Sequence, residues 1–203
     1  MQELEPLQEI FKNKIFKIPD YQRGYAWTIR QLSDFWEDVI NLPADRFHYT
    51  GMLSLKKVDK KVYENWNDEK WLIEDRKSVP YHVVDGQQRL TTFVIFIQCI
   101  SDLVKSLPEN KGIPDEQIYL GSFSLREIKE SYLVISRPPQ FIIRSYKFGY
   151  ETDNPSFKFL RHKIFHEPDS GTVQETFYTL NLENASKFFN ENLSVLHKQF
   201  GLS

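Results

Sequence analysis

The alternation of hydrophobic and polar positions predicts short strands and two helices in the first part of the chain. Lys14 to Ile18 is predicted as a strand. After a polar and aromatic loop, Thr28 is predicted to cap a helix whose apolar residues recur three and four positions apart. Further strands are predicted at 49–55 and 81–84. The second of these continues directly into a long predicted helix from Gln87 to about Leu107.

The pattern becomes mostly helical in the second part of the chain. Proline and glycine residues, which interrupt helices and strands, lie in 108–114 where the pattern changes. We therefore predict two parts, 1–110 and 111–203, that are joined near 108–114. The elements predicted after the break are a segment of either strand or helix at 124–135, a strand at 141–143, a turn at 167–171, and helices at 154–165 and 182–197.

Residues 56–77 form a highly charged segment within the first part. Lysine pairs at 56–57 and 60–61 are interspersed with acidic residues. Mixed charge of this kind is typical of a solvated surface. We therefore predict a solvated hairpin or a charged insertion at about 56–78.

Composition narrows the class of protein. Lys and Arg total 26 and Asp and Glu total 28, which gives a net charge of −2 and no global basic field, so any contact with DNA has to be local. No apolar run approaches the ~20 residues that a membrane-spanning helix needs. The single cysteine, Cys99, excludes an intrachain disulfide, and together with the lack of a signal-like segment it predicts a reducing cytoplasm.

A set of polar residues lies where the third predicted strand meets the long helix, in Val83-Val-Asp-Gly-Gln-Gln-Arg-Leu-Thr-Thr92. Unpaired backbone N–H groups and the helix dipole favour an anion at such a junction. Gly86 allows close approach of a ligand, either glutamine is able to donate to phosphate oxygens, and Arg89 is suited to a two-pronged contact. Asp85 is suited to hold a divalent ion that bridges phosphates. The structural alternative is that Asp85 caps the helix and Arg89 pairs with a surface acid.

A second junction of the same layout is Ile18-Pro-Asp-Tyr-Gln-Arg-Gly-Tyr-Ala-Trp27, which also follows a strand and precedes a helix. Its Gln-Arg pair repeats Gln88-Arg89, and two such junctions side by side in one sheet bring both arginines to one polyanion. The aromatic residues Tyr21, Tyr25 and Trp27 either stack on a base or pack beneath the loop, and we favour packing.

Two histidines have the spacing of a metal pair on one helix face. His162 and His166 are four residues apart, but no acid lies between them and no third ligand is evident. We favour a solvated helix face over a metal site.

A resemblance to a known family lies in three segments: Ile18–Trp27, Tyr49-Thr-Gly51 and, above all, Val84–Thr92. They resemble a prokaryotic family that forms the N-terminal half of GmrSD-type modification-dependent restriction endonucleases and related phage-defence nucleases. Later segments at 154–157 and 179–189 extend the resemblance over nearly the whole chain. It implies a fold similar to the ParB and sulfiredoxin group: an α+β core with a small mixed sheet, followed by a mostly helical region.

The resemblance also implies an activity, because several family members hydrolyse nucleoside triphosphates with the motif that is complete here from Asp85 to Arg89. The implied cofactors are a nucleoside triphosphate, GTP or ATP, and Mg²⁺, with Asp85 as the metal ligand or water-orienting acid and with Arg23 and Arg89 as charge stabilisers. Gln88 completes the implied catalytic set. The residues implied to bind the nucleotide are Gln22, Arg23, Asp85, Gly86, Gln87, Gln88, Arg89 and Thr91.

The partners follow from the same resemblance. The C-terminal half in this family often carries an HNH nuclease, and this chain has no histidine-asparagine-histidine metal-finger pattern. The chain is then either an N-terminal fragment or works with a separate nuclease subunit. The expected partners are DNA, including modified DNA, an HNH-type nuclease domain or subunit, and a second copy of the chain.

Three functions stay open on the sequence. The leading one is a nucleotide-binding and nucleotide-hydrolysing domain of a DNA-targeting restriction or phage-defence protein. The second is a non-catalytic module that binds DNA or senses its modification through the same pocket. The third is a nuclease that nicks DNA with the same motif, since a metal-holding acid and phosphate-binding arginines also suit phosphodiester hydrolysis.

Overall fold

The computed structural model describes residues 4–43, 45–168 and 173–200 and shows an α+β fold, which confirms the predicted class. The strands of this described part are β1 (Lys14–Ile18), β2 (Ser54–Lys57), β3 (Val79–Asp85), β4 (Tyr119–Leu120), β5 (Phe123–Ser124), β6 (Val134–Ser136), β7 (Arg144–Tyr146) and β8 (Phe148–Tyr150). Its α-helices are α1 (Leu7–Phe11), α2 (Ile29–Ile40), α3 (Lys60–Tyr63), α4 (Lys70–Glu74), α5 (Gln87–Ser106), α6 (Leu125–Tyr132), α7 (Ser156–Phe159) and α8 (Phe177–Phe200).

The main sheet has four strands in the order β2-β3-β1-β8. Strand β1 pairs in parallel with β3 on one side and with β8 on the other, whereas β2 pairs antiparallel with β3. The register places Phe16 between Tyr81 and Phe148. The carboxyl ends of β1, β3 and β8 therefore meet at one edge of the sheet, and the chain leaves each of these strands toward a helix.

Strand β1 is buried on both faces because alternate side chains enter two separate hydrophobic clusters. Phe16 and Ile18 belong to the larger cluster, which also holds residues of α5 and α8. Ile15 belongs to a smaller cluster on the opposite face. The sheet is thus the middle of three layers over β1, and the buried Lys17 of this strand forms an ion pair with Glu69 at 3.0 Å.

The larger cluster runs through both predicted parts of the chain. It joins Val83 and Val94 from the first part to Phe148 and Phe189 from the second. Helices α5 and α8 pack against each other, and β8 adds a strand from the second part to the sheet of the first. The division near 108–114 stays a prediction, and any such division leaves this hydrophobic core shared by the two parts.

The prediction of a solvated hairpin at 56–78 is wrong. The segment forms α3 and α4, and it supplies most of the smaller cluster: Val58, Trp66, Trp71, Leu72 and Ile73 are buried there around Ile15. Its lysines and acids lie largely on the outside. The high charge of this segment concealed apolar residues that cover the second face of the sheet.

Two further strand predictions differ from the structure. Residues 49–53 are irregular, since β2 begins only at Ser54. The apolar run 141–143 is not a strand: Phe141 has a φ of 58°, and pairing resumes only in β7. The predicted turn at 167–171 lies partly outside the described residues. None of the described helices is both long and apolar enough to cross a membrane.

Candidate functional site

Helix α5 begins with a left-handed glycine at the edge where the parallel strands end. Gly86 has a φ of 89° and forms the N-cap without any side-chain capping bond. A Cβ at this position lies 2.9 Å from Leu53 Cδ1 and 3.2 Å from the backbone oxygen of Met52. Glycine is required here for both reasons, because other residues rarely adopt this φ and would meet the neighbouring loop.

Asp85 precedes this glycine and does not cap the helix. Its side chain is exposed and forms no hydrogen bond or ion pair with any residue that the structure describes. The structural alternative for Asp85, a simple N-cap, is therefore not what the fold contains. A free carboxylate stands beside the first turn of a 20-residue helix, where the unpaired backbone N–H groups carry partial positive charge.

The two glutamines of the motif have different environments. Gln88 uses both ends of its amide on the loop at 20–27: its Oε1 accepts from the backbone N of Ala26 at 2.7 Å, and its Nε2 donates to the oxygen of Gly24 at 3.1 Å. Gln87 donates from Nε2 to the oxygen of Arg23 at 3.5 Å, but its buried Oε1 has no partner. Gln88 thus positions the loop, and Gln87 keeps a free acceptor.

Gln22 and Arg23 lie against the motif from the neighbouring strand end. Gln22 Nε2 donates to the oxygen of Val84 at 3.2 Å. The Arg23 side chain is exposed, and its guanidinium has no partner within the described part of the chain. The structure therefore brings the loop at 20–27 to the start of α5 and leaves one unpaired cation there.

Arg89 contacts the third segment that the sequence singled out. Its Nη2 donates to the backbone oxygen of Met52. A Cβ on Gly51, which has a φ of 98°, lies only 2.9 Å from Arg89 Cζ, so the guanidinium rests directly on this glycine. Arg89 forms no ion pair with any acid in the described ranges. It joins α5 to the loop at 49–53 and keeps further N–H donors for a ligand.

Thr91 lies in the core rather than at the surface of the site. It is fully buried, and its hydroxyl donates to the oxygen of Gln87 at 2.8 Å and lies 3.2 Å from the Tyr150 hydroxyl. Tyr25 is equally buried and forms a 2.7 Å hydrogen bond with Thr92. The favoured packing role is confirmed for Tyr25 and for Trp27, which lies against the core, whereas Tyr21 is 74% exposed.

A third strand-to-helix junction, from Tyr150 to Ser156, supports the same edge and was missed. Asn154 Nδ2 donates to the backbone oxygen of Gln22 at 3.3 Å, so this junction helps to position the loop at 20–27. Burial raises the pKa of Asp20, and the charges of Glu151 and Asp153 raise it further. The sequence does contain a signal for this junction. Polar residues follow strand β8 and precede a helix, as they do at the other two junctions.

A cavity of about 380 Å³ lies beside the motif, between α2, the loop at 48–51 and the start of α5. Its aromatic lining comes from Trp27, Phe35, Tyr49 and Phe93. Asp34 from α2 and Arg89 from α5 contribute charged groups of opposite sign. One residue, Arg89, therefore belongs both to the motif and to the wall of the cavity.

The histidine pair at 162 and 166 has other partners. His162 Nδ1 lies 3.1 Å from the oxygen of Glu167, and His166 Nε2 lies 2.8 Å from Asp102 Oδ2. Across the ranges that the structure describes, no group of three or more His, Cys, Asp and Glu side chains is arranged to hold a metal ion.

Comparison with known proteins identifies the family. The family model described as the N-terminal domain of GmrSD restriction endonuclease matches residues 7–198. The chain belongs to this family. None of the curated proteins compared with it matches. As a member of this family, the chain is a domain associated with restriction endonucleases.

In this GmrSD N-terminal domain the three resembling segments converge. The loop at 20–27 lies on one side of the start of α5, through Gln22, Gln87 and Gln88. The loop at 49–53 lies on the other side, through Arg89 and the contact at Gly86. These segments, far apart along the sequence, therefore meet at the start of α5, at the carboxyl edge of the sheet.

At Gly24, the loop at 20–27 of this GmrSD N-terminal domain packs closely against helices α7 and α8. A Cβ at Gly24 lies 2.6 Å from Tyr178 Cγ in α8 and 2.8 Å from Ser156 Oγ. We expect Gly24→Ala to lower the free energy of unfolding by about 1–3 kcal/mol, because the loop has to move away from both helices. Urea unfolding measures this change. The control is Gly149→Ala, where a Cβ meets nothing within 4 Å and the effect is expected within about 0.5 kcal/mol; equal effects contradict the steric explanation.

Proposed function

We propose that this domain binds a nucleoside triphosphate at the carboxyl edge of the sheet and hydrolyses it with Mg²⁺, as part of a DNA-targeting restriction or phage-defence system. One observation carries the proposal: the Asp85 carboxylate and the Arg23 guanidinium, neither of which has a partner among the described residues, lie at the N-terminus of a long helix beside a cavity of ligand size. Groups without protein partners at one edge are available for a charged ligand.

The phosphates are the part of the nucleotide that suits the start of α5. Gly86 leaves room for the backbone to approach them closely, and the first-turn N–H groups point at the same region. Arg23 supplies a positive charge from the loop at 20–27, and Arg89 supplies its remaining donors from the first turn of α5. Catalysis of phosphoryl transfer depends mainly on such positioning and charge stabilisation.

Asp85 is the residue suited to hold Mg²⁺. This ion is commonly bound in proteins by one or two carboxylates together with substrate phosphates and water. When bound, Mg²⁺ neutralises the charge that develops on the phosphate oxygens. Gln87 is suited to orient the attacking water, because its buried Oε1 is an acceptor without a partner.

The other motif residues have supporting roles in the proposal. Gln88 fixes the loop that carries Arg23, and Thr91 holds the first turn of α5 against Tyr150. They influence hydrolysis through the geometry of their neighbours. The proposed partners are DNA, an HNH-type nuclease domain or subunit, and a second copy of the chain, and family membership supports the first of these.

The test is to incubate the pure chain with each labelled ribonucleoside triphosphate and Mg²⁺, with and without DNA. We expect release of inorganic phosphate that requires Mg²⁺. If no triphosphate is bound or hydrolysed under any DNA condition, the proposal is abandoned in favour of a DNA-binding or modification-sensing module. A strand break in DNA that occurs without any HNH domain supports the nuclease alternative instead.

A further inference from the structure

The cavity beside the motif has the properties of a base-binding site. Its volume of about 380 Å³ lies near the lower end of the ~300–1,000 Å³ that small-molecule pockets occupy. Trp27, Phe35 and Phe93 supply flat apolar surfaces, on which nucleic acid bases stack. The cavity lies beside the start of α5, so it adds a second region to the proposed site.

The charges of α2 exclude phosphate from this cavity. Asp34 and Asp38 lie one turn apart on the helix and both line it. Asp38 Oδ2 lies 3.3 Å from His48 Nε2, whereas Asp34 has no partner among the residues that the structure describes. Carboxylates repel phosphate oxygens and accept hydrogen bonds from N–H groups. An uncharged group with donors therefore fits here better than an anion.

We infer that this cavity binds a guanine base, with the Asp34 carboxylate accepting from its N1–H and N2–H groups. Guanine presents two adjacent donors on one edge, which match the two oxygens of a carboxylate. Adenine and cytosine each place an acceptor nitrogen beside their amino group, and uracil has a single N–H between two carbonyls. Only guanine avoids an acceptor facing the Asp34 oxygens while using both of them.

The Arg89 side of the cavity suits the other edge of guanine. Arg89 is positively charged and keeps free N–H donors, and guanidinium groups pair with the O6 and N7 acceptors of guanine. This part of the inference rests on the proposed function, because Arg89 then lies between the base in the cavity and the phosphates at Gly86. The same guanine chemistry has two sources: a free guanosine nucleotide, or a guanine base presented by DNA.

The experiment measures equilibrium binding of the four nucleoside monophosphates to the intact chain by calorimetry, without Mg²⁺. We expect guanosine monophosphate to bind at least about 5-fold more tightly than the other three, the lower end of the discrimination that a two-pronged base contact gives. Asp34→Asn is expected to remove this preference and to favour xanthosine monophosphate, because the asparagine amide donates to the carbonyl at C2 of xanthine. Glu37→Gln, an exposed change on the same helix, is the matched control and is expected to change neither affinity.

A second arm distinguishes the two sources and separates the inference from the proposed function. Competition between guanosine triphosphate and single-stranded oligonucleotides with or without guanine shows which of them occupies the cavity, and Asp34→Asn has to weaken whichever one does. Equal binding of all monophosphates, with no change in Asp34→Asn, overturns the guanine assignment even if triphosphates are hydrolysed. Guanine-selective binding without any triphosphate hydrolysis supports the assignment and overturns the proposed hydrolytic function.

Discussion

Asp85→Asn is expected to lower the rate of nucleoside triphosphate hydrolysis by about 10³-fold or more while the fold is retained. The side chain is exposed, has no partner in the described part of the chain and does not cap α5, so its loss removes no contact that stabilises the fold. The change keeps size and polarity but removes the charge that we propose to hold Mg²⁺. Phosphate release under saturating triphosphate measures the rate, and thermal unfolding measures the stability.

Asp59 provides a matched control for this substitution. It is also an exposed aspartate, it precedes the short helix α3, and it likewise makes no side-chain capping bond. Asp59→Asn is expected to leave both hydrolysis and the unfolding temperature unchanged. Near-normal hydrolysis by Asp85→Asn contradicts the enzymatic function and favours the non-catalytic module.

Trp71→Ala is expected to lower the free energy of unfolding by about 3–5 kcal/mol. Trp71 is only 6% exposed, and its Nε1 donates to Ser145 Oγ at 2.6 Å, which links α4 to β7. Its replacement leaves a cavity in the smaller cluster, against the face of β1 that carries Ile15. Urea unfolding followed by circular dichroism measures the loss.

The neighbouring Lys70 serves as the control. It pairs only with Glu74 at 3.9 Å across an exposed turn of the helix, so Lys70→Ala is expected to change stability by less than about 0.5 kcal/mol. If Trp71→Ala costs no more than Lys70→Ala, the segment at 56–78 behaves as the solvated insertion that its charge suggests, and its role as a covering layer is refuted.

Local signals were sufficient to locate the elements that carry the motif. Strand β1 matches its predicted bounds, and α5 begins at the predicted Gln87, because apolar periodicity and a following break are encoded within a few residues. Helix α2 begins after Thr28, whose backbone N donates to Gln31 Oε1 at 2.9 Å, as its capping sequence predicts. The ambiguous segment at 124–135 becomes α6 because Ser124 and Glu127 cap each other.

Other features depend on partners that are distant along the chain. Gln87 and Gln88 are the same residue type and cannot be distinguished from the sequence. Adjacent side chains on a helix point about 100° apart. Only Gln88 therefore contacts the backbone of the loop at 20–27 with both ends of its amide. The supporting role of Asn154 depends on Gln22, 132 residues earlier. The burial of Trp66 and Trp71 depends on the second face of β1, which no local charge pattern reveals.

The parallel pairing of β1 with β8 has a consequence for the order in which the protein folds. Phe16 pairs with Phe148, so this edge of β1 stays open until most of the chain has left the ribosome. Contacts of such long sequence separation carry a high loop-closure entropy and slow the folding reaction. A nascent chain released before β8 therefore exposes an unpaired strand edge beside Phe16, which favours association with other chains. The edge that we propose to bind the nucleotide is completed only when synthesis has passed β8, and this delays the appearance of that surface.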